Sequence, residues 1–260
     1  MPAARAAAGR AAFMASLLAL LCVAVAPTRA AEPRKGGHPD LSGFWMLKRA
    51  QFTPDPELVR RVPAGTVVMK DTGAAEFGPM DFGGLKPRPA ALAAARAWDP
   101  KQEMTVSNAC KAPSIVYALQ GPFPIEIFQG TEIIVMRLEY FDLARVFLLD
   151  ERKPLPADGP HTKTGFSLAR WDGDTLEVVT THLKSATITN NGLEHSDNIR
   201  VTERYRLLDG GKTLMASQEY DDPDVLENRG VRYIAWRKVE GDHVHGYDCD
   251  PSFAENYAAP

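Results

Sequence analysis

The chain has 260 residues, with 30 Lys and Arg against 33 Asp and Glu and a formal net charge of −3 at pH 7. That mildly acidic balance argues against nucleic acid or an anionic membrane surface as partner, because neither is held without a basic face. No glycine-rich phosphate cradle is present, and no strands alternate with long helices, which argues against a nucleotide-binding α/β fold.

Residues 1–30 carry the pattern of a secretory leader. Arg5 and Arg10 precede an apolar stretch from Ala11 to Ala26, and Thr28-Arg29-Ala30 supplies small residues at the −3 and −1 positions of a cleavage site after Ala30. The alternative is a retained anchor, but the apolar stretch is roughly 16 residues, short of the ~20 that cross a bilayer. The expectation is a periplasmic or secreted protein with no stable membrane insertion after cleavage. Removing Arg5, Arg10 and Arg29 leaves 27 basic residues against 33 acidic ones, a net charge near −6. Two cysteines survive, Cys110 and Cys249, and in an oxidising compartment an even pair reads as one disulfide, with two separate buried thiols as the alternative.

Residues 31–260 read as a single domain. After a polar Pro/Gly-rich start, Asp40–Leu47 (DLSGFWML) reads as a first strand entered through a turn. Residues 51–108 are broken up by seven prolines and read as an irregular excursion with two short helices, Pro56–Val62 and Pro89–Trp98, each starting on a permitted first-turn proline. Strands then follow quickly: Ser114–Leu119, Phe123–Phe128, Glu132–Tyr140, Arg145–Leu149, Gly165–Trp171, Thr175–Leu183, Asp197–Leu207, Thr213–Tyr220, Val231–Lys238 and Asp242–Tyr247. Asp172-Gly173 and Asp209-Gly210-Gly211 between alternating runs are hairpin signals, since these residues adopt positive φ readily. An antiparallel meander of this kind hides its edges by closing into a barrel or packing as a sandwich. The fold class expected is all-β, a meander closing into a lipocalin-like (calycin) barrel.

Polar residues in apolar phase mark the candidate chemistry. Glu203 falls in step with Ile199, Val201, Tyr205 and Leu207, and extending that phase backwards brings Asp197 and His195 to the same face. A carboxylate in an apolar row is costly unless paired, hydrogen-bonded or protonated. It is therefore either an acid/base group in a pocket or a structural Glu bonded to an inward Arg or Tyr. In Glu132–Tyr140, Ile134, Met136, Leu138 and Tyr140 form the better core face, which leaves Arg137 and Glu139 outward unless the interior is polar near that end. His243 and His245 share a spacing that can chelate Zn²⁺ or Cu²⁺, but no third ligand is evident. No metal or cofactor is implied.

Gly43-Phe44-Trp45 resembles the Gly-x-Trp signature that opens the lipocalin barrel. Most of the mature chain also resembles a family of exported bacterial lipocalin-like proteins, mostly uncharacterised. The matching positions are Cys110 with Pro113, Glu126 with Gln129, Gly165 with Ser167, Trp171 followed by Gly173-Asp174-Thr175-Leu176, His195 with Ser196, Glu203 with Arg204, and Cys249. The sequence departs at Phe166, where the pattern has His, so an activity that uses that His would be absent here or would run on His195 and Glu203.

These readings converge on a cofactor-independent enzyme of lyase, isomerase or hydratase type. It would act by proton transfer on a small apolar or aromatic compound in a barrel cavity. Glu203 would be the general acid or base, His195 the proton partner, and Arg137 or Arg170 the stabiliser of developing negative charge. The rivals are a lipocalin-like protein that binds a hydrophobic ligand without turnover, and a structural envelope protein with no cavity. They are separated by whether Glu203 and His195 converge on a cavity without satisfying each other and the backbone.

Overall fold

A computed structural model describes residues 33–48, 52–69, 77–150 and 158–256. The expected leader lies outside the described residues.

Nine strands close into one barrel: β1 (Gly43–Leu47), β2 (Ile125–Gln129), β3 (Ile133–Leu138), β4 (Ala144–Leu148), β5 (Phe166–Asp172), β6 (Thr175–Thr181), β7 (Arg200–Leu208), β8 (Thr213–Asp221) and β9 (Gly230–Val239). Each pairs with its successor, and β9 closes the ring on β1 through Trp236↔Leu47 to Val239↔Phe44. The lipocalin-like barrel is thus present, with one departure from a wholly antiparallel meander. An odd ring cannot alternate direction at every joint, and the parallel joint falls between β4 and β5, at Phe147↔Ser167 and Leu148↔Leu168.

The two ends differ. At one, the Asp172-Gly173 and Asp209-Gly210-Gly211 turns reverse the chain tightly, with φ of +61° at Gly173 and +55°, +66° and +91° along the second turn. The segment before β1 closes this end. Leu41 N–H donates to Gln129 Oε1 at 2.9 Å, Gln129 Nε2 donates to the Pro39 carbonyl at 3.0 Å, and the Trp45 indole N–H donates to the Leu41 carbonyl at 3.0 Å. The other end, the mouth, carries the long connections. Of their helices, α1 (Pro56–Arg61) lies back along the outer wall, where Leu58 packs with Leu208, Met215 and Ala235 and Arg61 pairs with Asp172 of the closed-end turn, while α2 (Pro89–Ala97), α3 (Pro100–Glu103), α4 (Ile115–Ala118) and a hairpin of Ala186–Thr189 with Leu193–His195 lie at the mouth.

Two expected strands are something else. Ser-Ile-Val-Tyr-Ala-Leu has strand-like composition, yet Ile115–Ala118 is one helical turn with Ile115 and Val116 fully buried. Tertiary burial overrides a ~1 kcal/mol β-preference at a site with no free sheet edge to join. Residues 242–247 form no strand. They run along the outside, with the Val244, His245 and Tyr247 N–H groups donating to the carboxylates of Glu126, Glu139 and Asp142. The tail ends at a Cys110–Cys249 disulfide, Cα atoms 5.9 Å apart.

There are two large apolar cores, besides a smaller cluster of Leu58, Leu208, Met215 and Ala235 under α1. One fills the barrel around Trp45, Ile127, Met136, Phe147, Tyr205 and Trp236. The other lies under the mouth connections, around Ile115, Val116, Leu193, Ile199, Val201 and Tyr220.

Candidate functional site

Between the two cores lies a polar layer. On β7, Val201 belongs to the mouth core and Tyr205 to the barrel core, with Glu203 between them; Gln218 holds the same place on β8 between Tyr220 and Ala216. Glu203 is fully buried and paired with Arg145, which is also fully buried. The Arg145 Nη2 donates to Glu203 Oε2 at 2.5 Å and Nη1 to Oε1 at 3.1 Å, a two-pronged grip suited to the guanidinium fork. The Tyr205 hydroxyl and the Gln218 amide also donate to Oε1, at 3.1 and 3.2 Å. Arg145 Nη2 further reaches Thr180 Oγ1 at 3.2 Å, and Thr180 shares a hydrogen bond with Ser167 at 2.8 Å.

Burial alone would depress the guanidinium's pKa, but the charge of Glu203 outweighs it and leaves Arg145 above its ordinary value. Burial, then the neighbouring carboxylate, pushes the Tyr205 phenol well up, so it stays a donor. Glu203 thus accepts four hydrogen bonds, three at Oε1 and one at Oε2. Among the described residues only the Arg145 Nε lacks an acceptor in this immediate circle.

The layer connects upward. Gln218 Nε2 also donates to the Ile115 carbonyl at 3.4 Å, and Ser114, the residue before α4, meets His195. Ser114 Oγ and His195 Nε2 are 2.8 Å apart, and His195 Nδ1 is 2.9 Å from the Ser196 carbonyl. A carbonyl can only accept, so Nδ1 carries the proton and Nε2 accepts from Ser114. Burial holds the imidazole below its ordinary pKa, which favours this neutral tautomer. Asp222 stands behind it, accepting from the Ser196 N–H at 2.7 Å and the Ser196 hydroxyl at 2.8 Å.

The sequence expectations separate here. Glu203 points inward as expected, but into a closed ion pair. His195 belongs to the mouth hairpin, not to the Glu203 strand, because the chain turns at Ser196–Ile199 and breaks the phase. Asp197 is exposed and accepts from the Ser185 N–H. Arg137 and Arg170 are corrected to the outer surface. Arg137 is half-exposed opposite Glu126, 3.7 Å away, and Arg170 joins an outer ladder in which Glu177 accepts from it at 2.7 Å and from Arg204 at 3.0 Å. The cation that does meet Glu203, Arg145, was masked in the sequence by Ala144, Val146 and Leu148, an apolar alternation that reads as core and faces outward. Phe166 lies on the face of β5 opposite Ser167, away from the polar layer.

Open space lies above α4. A cavity of about 510 Å³, partly open to solvent, sits at the mouth between the excursion, the β3–β4 turn and the Ala186–His195 hairpin. Trp98, Tyr117, Tyr140 and Phe141 supply aromatic walls, and Met104, Pro113 and Ala186 add apolar surface. Lys111, Lys163, Glu103 and Glu194 supply its charges. Gly192 fixes one wall: its φ of +90° suits glycine, and a Cβ there would lie 2.4 Å from the Cβ of Trp98. The opposite wall is strained, with Phe141 and Asp142 both left-handed at φ +56° and +52°. Tyr247 braces it, its ring 4.6 Å from Phe141 and 5.5 Å from Tyr140, and Phe123 stacks on Tyr140 at 4.5 Å. Burial holds the Tyr140 phenol up at about 12, so it too stays a neutral donor.

His243 and His245 have ring centres 5.1 Å apart, and the described residues contain no group of three His, Cys, Asp or Glu placed to hold a metal. No helix among them is long and apolar enough to cross a membrane. No protein-family model matches the chain, and no curated protein does either.

Proposed function

We propose that this is an exported lipocalin-like binding protein that takes a small, largely apolar or aromatic molecule in the cavity at the barrel mouth. The observation that carries this reading is the separation of chemistry from space. Glu203, the strongest acid/base candidate, is consumed by Arg145, Tyr205 and Gln218, whereas the cavity of about 510 Å³ lies beyond α4 and is walled by aromatic rings. That volume is within the roughly 300–1,000 Å³ usual for small-molecule sites, and apolar walls with a few polar groups are their common make-up. Export is supported by the N-terminal leader pattern and by the Cys110–Cys249 bridge, a bond that persists in oxidising compartments.

The catalytic alternative, proton transfer of lyase, isomerase or hydratase type, keeps one point of support. His195 and Ser114 form a proton-sharing pair directly behind Pro113, which lines the cavity. Incubation with a panel of aromatic and terpenoid compounds separates the two readings, with thermal shift reporting binding and mass spectrometry reporting product. A binder present at 100 times its Kd stabilises the fold by about 2.7 kcal/mol and is recovered unchanged. Product that disappears in His195→Gln would replace the binding reading with the catalytic one.

A further inference from the structure

We infer that the mouth cavity is built for an anionic ligand, an aromatic or apolar body bearing a carboxylate, with Lys163 as the group that receives the charge. The inference rests on the binding reading above and adds the ligand's chemical class.

Lys111 and Lys163 line the cavity together with Glu103 and Glu194, and Lys184 stands close enough to act on Lys163. Thr162 and Leu183 form a parallel bridge, and the Lys184 N–H donates to the Thr162 carbonyl at 2.8 Å, so Lys163 and Lys184 follow the two sides of one bridge. The Lys163 carbonyl accepts the Ile115 N–H at 2.9 Å, which locks this residue to α4. Lys111, in the segment next to the disulfide, donates to Asn108 Oδ1 at 2.5 Å, and Asn108 is itself a lining residue.

Lys163 is half-buried and makes no ion pair among the described residues. Burial first, then Lys184, and to a lesser degree Lys111, hold its ammonium below the ordinary lysine value, against the opposing pull of Glu194. Two cations and one carboxylate thus act on a third cation that has lost part of its water. A partly desolvated charge without an ion pair is costly to the free protein, and an incoming carboxylate lowers that cost while adding a charge-assisted hydrogen bond. Contrast Arg145, whose charge is met within the fold. The rings of Trp98, Tyr117, Tyr140 and Phe141 supply what the rest of such a ligand needs, flat apolar surface. Size agrees, since a two-ring acid fits comfortably within about 510 Å³.

The test compares 2-naphthoate with its neutral carbinol, 2-naphthalenemethanol, by isothermal titration calorimetry on the intact oxidised protein at low and moderate salt. The expected result is that the carboxylate binds about tenfold more tightly or better, which is about 1.4 kcal/mol. The preference should shrink as salt rises. Lys163→Met should abolish the preference, and Lys163→Arg should keep it; circular dichroism and melting temperature check that both variants fold. Equal binding of acid and carbinol overturns the anionic inference and leaves the binding reading intact. Binding of neither overturns both. A preference that survives Lys163→Met overturns the assignment of the charge to Lys163.

Discussion

The polar layer inside the barrel and the cavity at its mouth place similar chemistry in opposite circumstances. Inside, Arg145 and Glu203 are fully buried and matched to each other, with Tyr205, Gln218 and Thr180 taking up most remaining valences. At the mouth, Lys163 is half-buried under the influence of two more lysines and, although Glu194 pulls the other way, it makes no ion pair among the described residues. A charge that is met within the fold holds the fold together. A charge left unmet at the wall of an open cavity is free to select what enters. The comparison explains why a carboxylate in apolar phase, the most conspicuous anomaly in the sequence, belongs to architecture.

The largest expected effect tests how the mouth is held. Opening the Cys110–Cys249 bridge releases a closure spanning 139 residues, which in the chain-entropy model costs up to about 5 kcal/mol. Cys249→Ser should therefore lower the melting temperature strongly in oxidising buffer. Because Cys110 adjoins Ala109 and Lys111 and Tyr247 braces Phe141, ligand affinity should fall in the same variant. Retained affinity at temperatures where the variant is still folded would detach the cavity from its brace.

Glu203→Gln comes next. It strands the Arg145 guanidinium without a counter-charge, and breaking a buried pair on one side costs about 3–5 kcal/mol. Replacing both, as Arg145→Met with Glu203→Gln, should recover much of that loss, measured by denaturant titration. A Glu203→Gln protein with unchanged stability would break the comparison and return Glu203 to the list of catalytic candidates.

A smaller effect separates His195 from both regions. Its folded-state pKa lies below the ordinary 6.5, so as pH falls the unfolded chain takes up the proton first. Stability is complete above pH 6.5, declines as pH drops through that value, and levels off below the folded-state pKa. Melting curves across this range should show the slope in the wild type and its reduction in His195→Gln. The smallest effect is Lys163→Met, which should change stability by less than about 0.5 kcal/mol, as expected of a residue outside any structural pair. A large loss would make Lys163 architectural as well.

The barrel was legible because its signals are local. Asp-Gly turns and strict alternation locate β5 to β8 within three residues, and Gly43-Phe44-Trp45 locates the closed end. Glu203's inward direction was legible for the same reason. Its partner was not, because the apolar side of β4 faces outward: Phe128, Val135 and Val146 stand in register across three strands, and Ile133, Leu148 and Leu168 do so beside them. Alternation identifies two faces without saying which one is inside. The helical nature of Ile115–Ala118 was hidden because its cause, burial against Leu193 and Tyr220, lies far away in sequence. The cavity was hidden for a related reason, since its walls come from loops, short helices and a hairpin that share no periodicity.

The parallel joint between β4 and β5 has a consequence for how this barrel can change through evolution. Strands are gained and lost chiefly as hairpins, two at a time, and such a step leaves the parity of the ring unaltered. The joint therefore behaves as a topological defect. Hairpin insertion or deletion can shift its position around the ring but cannot annihilate it, and only the gain or loss of a single strand would let every neighbour run antiparallel.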